Sequence, residues 1–205
     1  MSMHLSNYLH KEQQESGSFA YWDGAFSDDE LGKIIAIGES LGTKDSTLFT
    51  VGGDVKNESS RKSMTSFIIP SDETFWIFAK LNDIISNINN SYFKFNLLGY
   101  DFIQYTKYPV GGYYKRHTDY IPGVHKTLEG FIEGMRRKLS LTILLNDDFA
   151  GGDLILNFDG STDQVVKSKK GRIIAFPSYV AHEVTTVTSK ERLSLVIWVL
   201  GEPWK

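Results

Sequence analysis

Hydrophobic residues in the first half of the chain recur at helical spacing in two places. The first stretch opens at Ser27, which with Glu30 has the spacing of a capping box, and it is predicted to end near Gly42. Its apolar stripe consists of Leu31, Ile34, Ile35 and Leu41. The second stretch is predicted to run from Asp72 to about Asn89, with Ser71 as its N-cap. Its apolar members are Phe75, Phe78, Leu81, Ile84, Ile85 and Ile88.

From Leu98 onward the pattern changes to short apolar or alternating runs that are typical of β-strands. Glycine and aspartate turns separate these runs, as at Asp159-Gly160. The predicted strands are residues 102–108, 139–145, 153–157, 164–167, 172–176, 182–187 and 193–200. So many short strands favour a β-sandwich or barrel, with the two helices packed on the outer face of one sheet.

Three other stretches lack this periodicity. Residues 1–18 are polar and are predicted to be a loosely held terminus, and residues 43–63 are predicted to be a loop. The segment Tyr120–Arg136 contains Pro122 and three glycines, and its apolar residues have no obvious strand partner. We predict that this segment is a mobile lid; the alternative is a surface insertion that takes no part in catalysis.

Composition bounds the class of protein. A length of 205 residues predicts a single domain over residues 1–205. The net charge of −3 argues against a general nucleic-acid binder. No apolar run reaches membrane-spanning length, and no charged-then-apolar leader opens the chain, so a cytoplasmic protein that does not enter the membrane is expected.

Candidate chemistry centres on two histidines, an aspartate and an arginine. The chain has no cysteine, so His, Asp and Glu must bind any metal, which suits Fe(II), Mn(II) or Zn(II). His117 and Asp119 are two residues apart and project to the same face of an extended backbone. They form two thirds of a 2-His-1-carboxylate iron site, and His182 can supply the third ligand.

Such a site leaves metal positions open for a chelating cosubstrate and dioxygen. Arg192 follows His182 by ten residues and offers a planar fork for a carboxylate. These four residues together indicate an Fe(II)- and 2-oxoglutarate-dependent oxygenase.

An ordered series of motifs resembles the prolyl-4-hydroxylase-like branch of the Fe(II)/2-oxoglutarate-dependent dioxygenases. The stretch from Tyr108 to Asp119 is similar to that family's Tyr-x-x-Gly-x-x-Tyr-x-x-His-x-Asp. The other matching motifs are Arg61-Lys62-Ser63, Leu139–Asn146 followed by Gly151-Gly152-Asp153-Leu154, Gly171–Ser178 with His182-Glu183-Val184, and Arg192–Trp198. The resemblance covers roughly residues 60–200. It implies an all-β core with flanking helices (α+β): a double-stranded β-helix, or jelly roll, over residues 98–200, preceded by two N-terminal helices.

The resemblance also implies roles for individual residues. His117, Asp119 and His182 correspond to the iron ligands, and Arg192 to the partner of the distal carboxylate of 2-oxoglutarate. Tyr108 corresponds to a tyrosine that lines the cosubstrate pocket, and Trp198 to a packing residue near it. Arg137 and Tyr114 are candidate substrate contacts, although the run Arg136–Lys138 is also typical of a solvated basic face.

One departure from the family pattern concerns the cosubstrate pocket. Relatives with a tyrosine beside the distal carboxylate have it where this chain has Leu144. Two alternatives follow: Arg192 binds the carboxylate with less help, or another hydroxyl assists it.

The implied activity is hydroxylation of a substrate C–H bond, in a peptidyl proline or similar residue, with release of succinate and CO2. The implied cofactors are Fe(II), 2-oxoglutarate and O2, with ascorbate as a further candidate, and the implied partner is a peptide or protein. One alternative is an oxidative nucleic-acid demethylase, but such enzymes commonly carry a second arginine where Trp198 stands. Another alternative is a non-catalytic metal-binding jelly-roll module.

Overall fold

A computed structural model describes most of the chain. The described residues are 9–14, 17–46, 48–50, 53–55, 59–120, 125–127, 130–132 and 134–204. Two helices precede most of the long strands, in the order that the hydrophobic pattern predicts.

The first helix begins as predicted, whereas the second begins later. Helix α1 (Asp28–Ser40) has Ser27 as its N-cap and carries the predicted capping box with Glu30. Helix α2 (Phe75–Ile88) follows Thr74, not Ser71. The Thr74 hydroxyl accepts the Ser71 N–H at 2.8 Å, so residues 71–74 form a turn before the helix. A π-helical turn at Asn89–Phe93 extends α2. Neither helix in the described ranges is long and apolar enough to span a membrane.

In the part of the chain that the structure describes, the strands form two larger antiparallel sheets and three two-stranded pairs. In chain order they are β1 (Leu9–Gln14), β2 (Gly17–Trp22), β3 (Lys44–Asp45), β4 (Leu48–Thr50), β5 (Gly53–Val55), β6 (Arg61–Lys62), β7 (Met64–Ile68), β8 (Gly99–Tyr108), β9 (Tyr113–His117), β10 (His125–Thr127), β11 (Gly130–Ile132), β12 (Arg136–Leu144), β13 (Ala150–Gly151), β14 (Leu154–Asn157), β15 (Asp163–Val166), β16 (Ile173–Pro177), β17 (Ala181–Val184), β18 (Val187–Ser189) and β19 (Arg192–Gly201).

The major sheet has the strand order β1-β2-β16-β12-β19-β8-β7-β3, and the minor sheet has the order β15-β14-β17-β9-β6. The remaining pairs are β4–β5, β10–β11 and β13–β18. Leu154 and Leu156 of the minor sheet pack against Ile174 and Phe176 of the major sheet, so the two sheets face each other. This arrangement is the double-stranded β-helix with flanking helices that the resemblance implies.

The central strands of the major sheet bury both of their faces. Successive side chains of a strand point to opposite faces. Side chains on one face join the helices in the main hydrophobic core; among them are Ile103, Tyr105, Leu139, Leu141, Ile143, Leu195, Ile197 and Val199. Polar side chains on the other face line a cavity towards the minor sheet; these are Gln104, Ser140, Thr142 and Ser194. The cavity therefore lies between the apolar core and the second sheet, and apolar side chains such as Phe176, Val196 and Trp198 line it as well.

Parts of two stretches that were predicted to be irregular contain strands. Within residues 1–18, β1 pairs with β2, and β2 pairs with β16 at the open edge of the major sheet. Within residues 43–63, the structure has the short strands β3, β4, β5 and β6. Backbone hydrogen bonds to a neighbouring strand do not require apolar side chains, so a polar sequence can complete a sheet edge.

The predicted lid contains a short hairpin. Strand β10 pairs with β11, with His125 opposite Ile132 and Thr127 opposite Gly130, so Phe131 and Ile132 do have a strand partner. Residues 121–124, 128, 129 and 133 lie outside the described residues. A lid role for Tyr120–Arg136 stays a prediction.

An ion pair fastens the edge hairpin to the sheet. Arg172, just before β16, donates to Asp23, just after β2, through Nε and Nη2, each at 2.8 Å. The guanidinium also lies 4.4 Å from the centroid of the Tyr21 ring. Hydrogen bonds from Arg172 are the main cause that lowers the pKa of Asp23 from 3.8 to about 2. The paired carboxylate therefore stabilises the folded state above pH 3.8, and this contribution is lost as the pH falls towards 2.

We expect Asp23→Asn to lower the free energy of unfolding by about 1 kcal/mol at neutral pH, since a partly exposed bidentate pair is lost. The difference from the unmodified protein should shrink as the pH falls towards 2, which urea titrations across that range would measure. Asp83→Asn, at an exposed position of α2, is the control. A destabilisation that persists unchanged in acid would contradict the assigned role of the ion pair.

Candidate iron centre

Two histidines and an aspartate converge at one point of the cavity. His117 ends β9, Asp119 follows it by two residues, and His182 lies in β17 directly opposite His117 in the minor sheet. Their candidate ligand atoms all lie within 4.8 Å of one another. Asp119 Oδ1 is 3.8 Å from His117 Nε2, and Asp119 Oδ2 is 3.5 Å from His182 Nε2. The structure thus brings together the three side chains that the sequence singles out.

Backbone carbonyls orient both imidazole rings. His117 Nδ1 is 2.8 Å from the carbonyl oxygen of Lys115, and His182 Nδ1 is 3.0 Å from that of Val180. An imidazole Nδ1–H that donates to a carbonyl leaves the Nε2 lone pair available for a metal. Both Nε2 atoms face Asp119, so the tautomers favoured by these contacts are those that a metal site needs.

The Asp119 carboxylate is buried and held by serines. Its backbone N–H donates to the Ser178 carbonyl at 3.0 Å. The Ser140 hydroxyl donates to Asp119 Oδ2 at 2.7 Å and lies 2.9 Å from the Ser178 hydroxyl. Burial raises the pKa of Asp119, but His182, His117, Arg137 and Ser140 together hold it below its usual value. The group is therefore an anion, as metal binding requires.

Aromatic packing fixes the His117 ring. Tyr114 stacks on it at a centroid distance of 3.6 Å, and His182 lies 4.2 Å away. Burial, with a further contribution from His182, lowers the pKa of His117 to about 4. Burial also raises the pKa of Tyr114 to about 12. At neutral pH the His117 imidazole is uncharged, so its Nε2 lone pair is available to a metal. The Tyr114 phenol stays protonated.

Arg192 provides a buried cation in the same cavity. The residue is 3% exposed, and its Nη1 donates to the Ser194 hydroxyl at 3.0 Å. Its Nε has no hydrogen-bond partner among the described residues. A buried charge with an unused donor is costly unless an anion meets it. This observation fits the distal carboxylate of 2-oxoglutarate, which needs a cation in a dry pocket.

The Gly-Gly motif explains how the backbone approaches Arg192 so closely. Gly152 has φ +65°, and a Cβ atom there would lie 2.9 Å from Arg192 Cδ. Gly151 has φ +67°, and its Cβ would lie 2.2 Å from the Thr186 carbonyl oxygen. Both positions therefore require glycine, since another side chain would displace Arg192 or the neighbouring strand.

The remaining predicted site residues differ in their surroundings. Tyr108, Tyr114 and Trp198 line the cavity, and the Arg192 guanidinium lies 5.3 Å from the Tyr108 ring centroid. Arg137 donates to Asp101 Oδ2 through Nε at 2.9 Å and Nη2 at 2.6 Å. Its guanidinium lies 3.9 Å from the Trp198 ring centroid, and its side chain is only 13% exposed. Arg137 is thus not on a solvated face, and its contact with substrate stays a prediction.

Hydroxyl and amide groups of the cavity were missed by the sequence reasoning. They are Gln104, Ser140, Thr142, Ser178 and Ser194. Ser140 and Thr142 alternate with apolar residues in β12, and Ser194 interrupts an apolar run in β19. That pattern is the signal that could have identified these three residues. Ser194 lies opposite Leu144 in the sheet, and its hydroxyl contacts Arg192. Of the two alternatives for binding of the distal carboxylate by Arg192, assistance from another hydroxyl therefore has Ser194 as its candidate.

A jelly roll that holds a 2-His-1-carboxylate cluster beside a buried arginine defines the class of Fe(II)- and 2-oxoglutarate-dependent oxygenases. In agreement, residues 103–200 match the family model of the 2OG-Fe(II) oxygenase superfamily. The strand-rich second half of the chain is thus similar to this superfamily, whose description names Fe(II) and 2-oxoglutarate.

Curated relatives and solved structures agree with this assignment. The chain is 40% identical over 98 residues to a PKHD-type hydroxylase of Thermosynechococcus vestitus, and this alignment covers 46% of this chain and 41% of the relative. It is 35% identical over 97 residues to a PKHD-type hydroxylase of a Psychrobacter species, which covers 46% of this chain and 36% of the relative. The matches thus span well under half the length of these relatives.

The fold is similar to that of a Pseudomonas putida prolyl-4-hydroxylase, with a TM-score of 0.69, 20% identity and coverage of 92% of this chain and 95% of that one. A prolyl hydroxylase from Trichoplax adhaerens, solved with a hypoxia inducible factor peptide fragment, gives a TM-score of 0.71 at 18% identity. The alignment covers 91% of this chain and 84% of that one. The predicted double-stranded β-helix fold is confirmed, and the matches bear out the predicted resemblance to prolyl-4-hydroxylase-like oxygenases.

We expect Ser140→Ala to weaken divalent-metal binding about 10- to 100-fold, because groups that orient a ligand carboxylate commonly have effects of this size. Binding of Mn(II), followed by electron paramagnetic resonance of the free ion, measures this without turnover. Ser140→Thr retains the hydroxyl and should recover most of the affinity, and exposed Ser161→Ala is the control. Equal affinity in Ser140→Ala and the unmodified protein would exclude a role for Ser140 in holding Asp119.

Proposed function

We propose that this protein is an Fe(II)- and 2-oxoglutarate-dependent dioxygenase that hydroxylates a C–H bond of a peptidyl proline or a similar residue. In the overall reaction the substrate R–H, 2-oxoglutarate and O2 give R–OH, succinate and CO2. The observation that carries the proposal is the presence of a convergent His-Asp-His cluster and of Arg192, with its unused Nε donor, in one cavity.

The proposed iron ligands are His117 Nε2, His182 Nε2 and one oxygen of Asp119. Bound there, Fe(II) supplies the redox chemistry that couples O2 to the oxidation of 2-oxoglutarate and of a substrate C–H bond. Ser140 occupies Asp119 Oδ2, which leaves Oδ1 for the metal. Carbonyl contacts at both Nδ1 atoms keep the rings in place, so the ligand set is ordered before the metal arrives.

The proposed cosubstrate site lies beside Arg192. The guanidinium would pair with the distal carboxylate of 2-oxoglutarate, while Ser194 keeps the side chain in position. Tyr108 and Trp198 line the cavity, where their rings would exclude water from a bound cosubstrate. Exclusion of water strengthens the charge pair and keeps the reacting groups dry.

A peptidyl substrate is supported by the relatives. They include PKHD-type hydroxylases and a prolyl hydroxylase in complex with a peptide fragment. Trp198 stands where nucleic-acid demethylases commonly carry an arginine, and its ring packs against Arg137. We also propose ascorbate as an accessory reductant, which the resemblance suggests; omission of ascorbate from the assay tests it.

Asp119→Ala should abolish turnover and weaken Fe(II) binding, because Asp119 is the only anion of the proposed ligand set. Succinate release after addition of Fe(II) and 2-oxoglutarate measures the activity, and a mass gain of one oxygen atom identifies hydroxylated peptides in a proteome-wide screen. Circular dichroism tests whether the fold survives. Exposed Asp148→Ala is the control, and full succinate release from Asp119→Ala would remove this residue from the site.

Arg192→Met should raise the 2-oxoglutarate requirement far more than it changes iron affinity. Loss of one member of a buried charge pair costs about 3–5 kcal/mol, or roughly 10²- to 10⁴-fold in affinity. Arg192→Lys should have a smaller effect, because the charge remains while the bidentate fork is lost. A 2-oxoglutarate titration with exposed Arg116→Met as the control tests this, and unchanged half-saturation in Arg192→Met would contradict it.

A further inference from the structure

The cavity contains a second buried guanidinium, that of Arg61. This residue lies in β6 at the edge of the minor sheet, opposite Tyr114 of β9. It is 8% exposed and lines the cavity together with the iron-ligand candidates. Arg192 reaches the same cavity from β19 of the major sheet. The cavity thus receives one positive charge from each of the two sheets.

Neighbouring groups hold the Arg61 guanidinium in a defined place. Its Nε donates to the Ser63 hydroxyl at 2.7 Å, and that hydroxyl is 2.8 Å from the hydroxyl of Ser46. The guanidinium carbon lies 4.6 Å from the centroid of the Tyr114 ring, which stacks on His117. Arg61 therefore stands one aromatic ring away from a proposed iron ligand.

The charge of Arg61 has no carboxylate counter-ion among the described residues. Within the described ranges, no carboxylate lies within ion-pair distance of this guanidinium, whose single hydrogen bond to a side chain uses Nε. Burial of a charge without an anion is unfavourable. An arginine whose Nε is occupied still presents its two Nη groups, which can meet both oxygens of a carboxylate end-on.

We propose that Arg61 binds a carboxylate of the substrate, which rests on the proposed hydroxylation of a peptide at this site. The substrate is then a peptide that carries an acidic side chain, or a free C-terminal carboxylate, close to the hydroxylated residue. Arg192 serves the cosubstrate, and Arg61 selects and orients the substrate on the opposite wall. Ser63 and Ser46 keep the guanidinium in place before the substrate binds.

A different role for Arg61 is to hold Tyr114 against His117 without touching the substrate. The two roles predict different effects of the charge of the peptide on binding and turnover. A contact with a carboxylate makes binding weaker for a peptide with Gln in place of Glu. A role through Tyr114 changes turnover of both peptides by the same factor.

The test uses the protein loaded with Fe(II) and 2-oxoglutarate without oxygen. Its probes are prolyl peptides of one host sequence, with Glu or Gln at each of the two positions on either side of proline, and with a free or an amidated C-terminus. The dissociation constant of each peptide follows from the change in the visible absorption of the Fe(II)–2-oxoglutarate complex. Admission of oxygen then gives KM and kcat for hydroxylation.

The unmodified protein should bind one acidic peptide, or the free C-terminus, about 10- to 100-fold more tightly than its neutral counterpart. Arg61→Gln should reduce this ratio to about one, and Arg61→Lys should leave an intermediate ratio. Arg116→Gln is the matched control, since it removes an exposed positive charge of β9 that pairs with Asp163 outside the cavity. It should leave the preference intact.

The proposal is overturned if the unmodified protein does not distinguish any acidic peptide from its neutral counterpart, if no acidic peptide binds, or if Arg61→Gln retains the preference. An equal loss of kcat for acidic and neutral peptides in Arg61→Gln would assign the role through Tyr114 instead. Failure of the proposed function is separate, because it would appear as an unmodified protein that neither forms the absorbing complex nor releases succinate.

Discussion

Strands β8, β12 and β19 lie in the middle of the major sheet, and burial of both their faces is the constraint on which the site depends. One face packs against the helices and must be apolar. The other face looks towards the minor sheet and carries Gln104, Ser140, Thr142 and Ser194. Because alternate side chains point to opposite faces, one strand can serve the core and the cavity at once. The site is therefore built on rigid elements.

The charges of the cavity follow from this burial. Asp119 accepts a hydrogen bond from Ser140 and lies close to two histidines, and no lysine or arginine among the described residues is in direct contact with its carboxylate. Arg192 and Arg61 have no carboxylate partner among the described residues. A protein that keeps buried cations unpaired is suited to bind anions, and in the proposed function the cosubstrate is one of them.

Several features could be predicted from sequence because they depend on local pattern or on short spacing. The capping box of α1 needs only Ser27 and Glu30 at the right separation, and the structure has it. The predicted start of α2 was wrong because the Ser71 N–H donates to the Thr74 hydroxyl and residues 71–74 form a turn. Hydrophobic periodicity does not indicate such a hydrogen bond. The edge hairpin β1–β2 was missed because its pairing uses backbone groups, which carry no side-chain signal.

The sequence by itself determined the residue types of the site. A chain without cysteine, with His117 and Asp119 two residues apart, leaves few ways to bind a redox metal, and the order of the motifs points to one family. Only the tertiary structure decided which polar side chains serve that site. Ser140 reaches Asp119 across 21 positions, and Arg61 lies beside Tyr114 through pairing of distant strands. The physical reason is that such contacts depend on strand register, which is set by packing of the whole sheet, and not by the residues next to them in the chain.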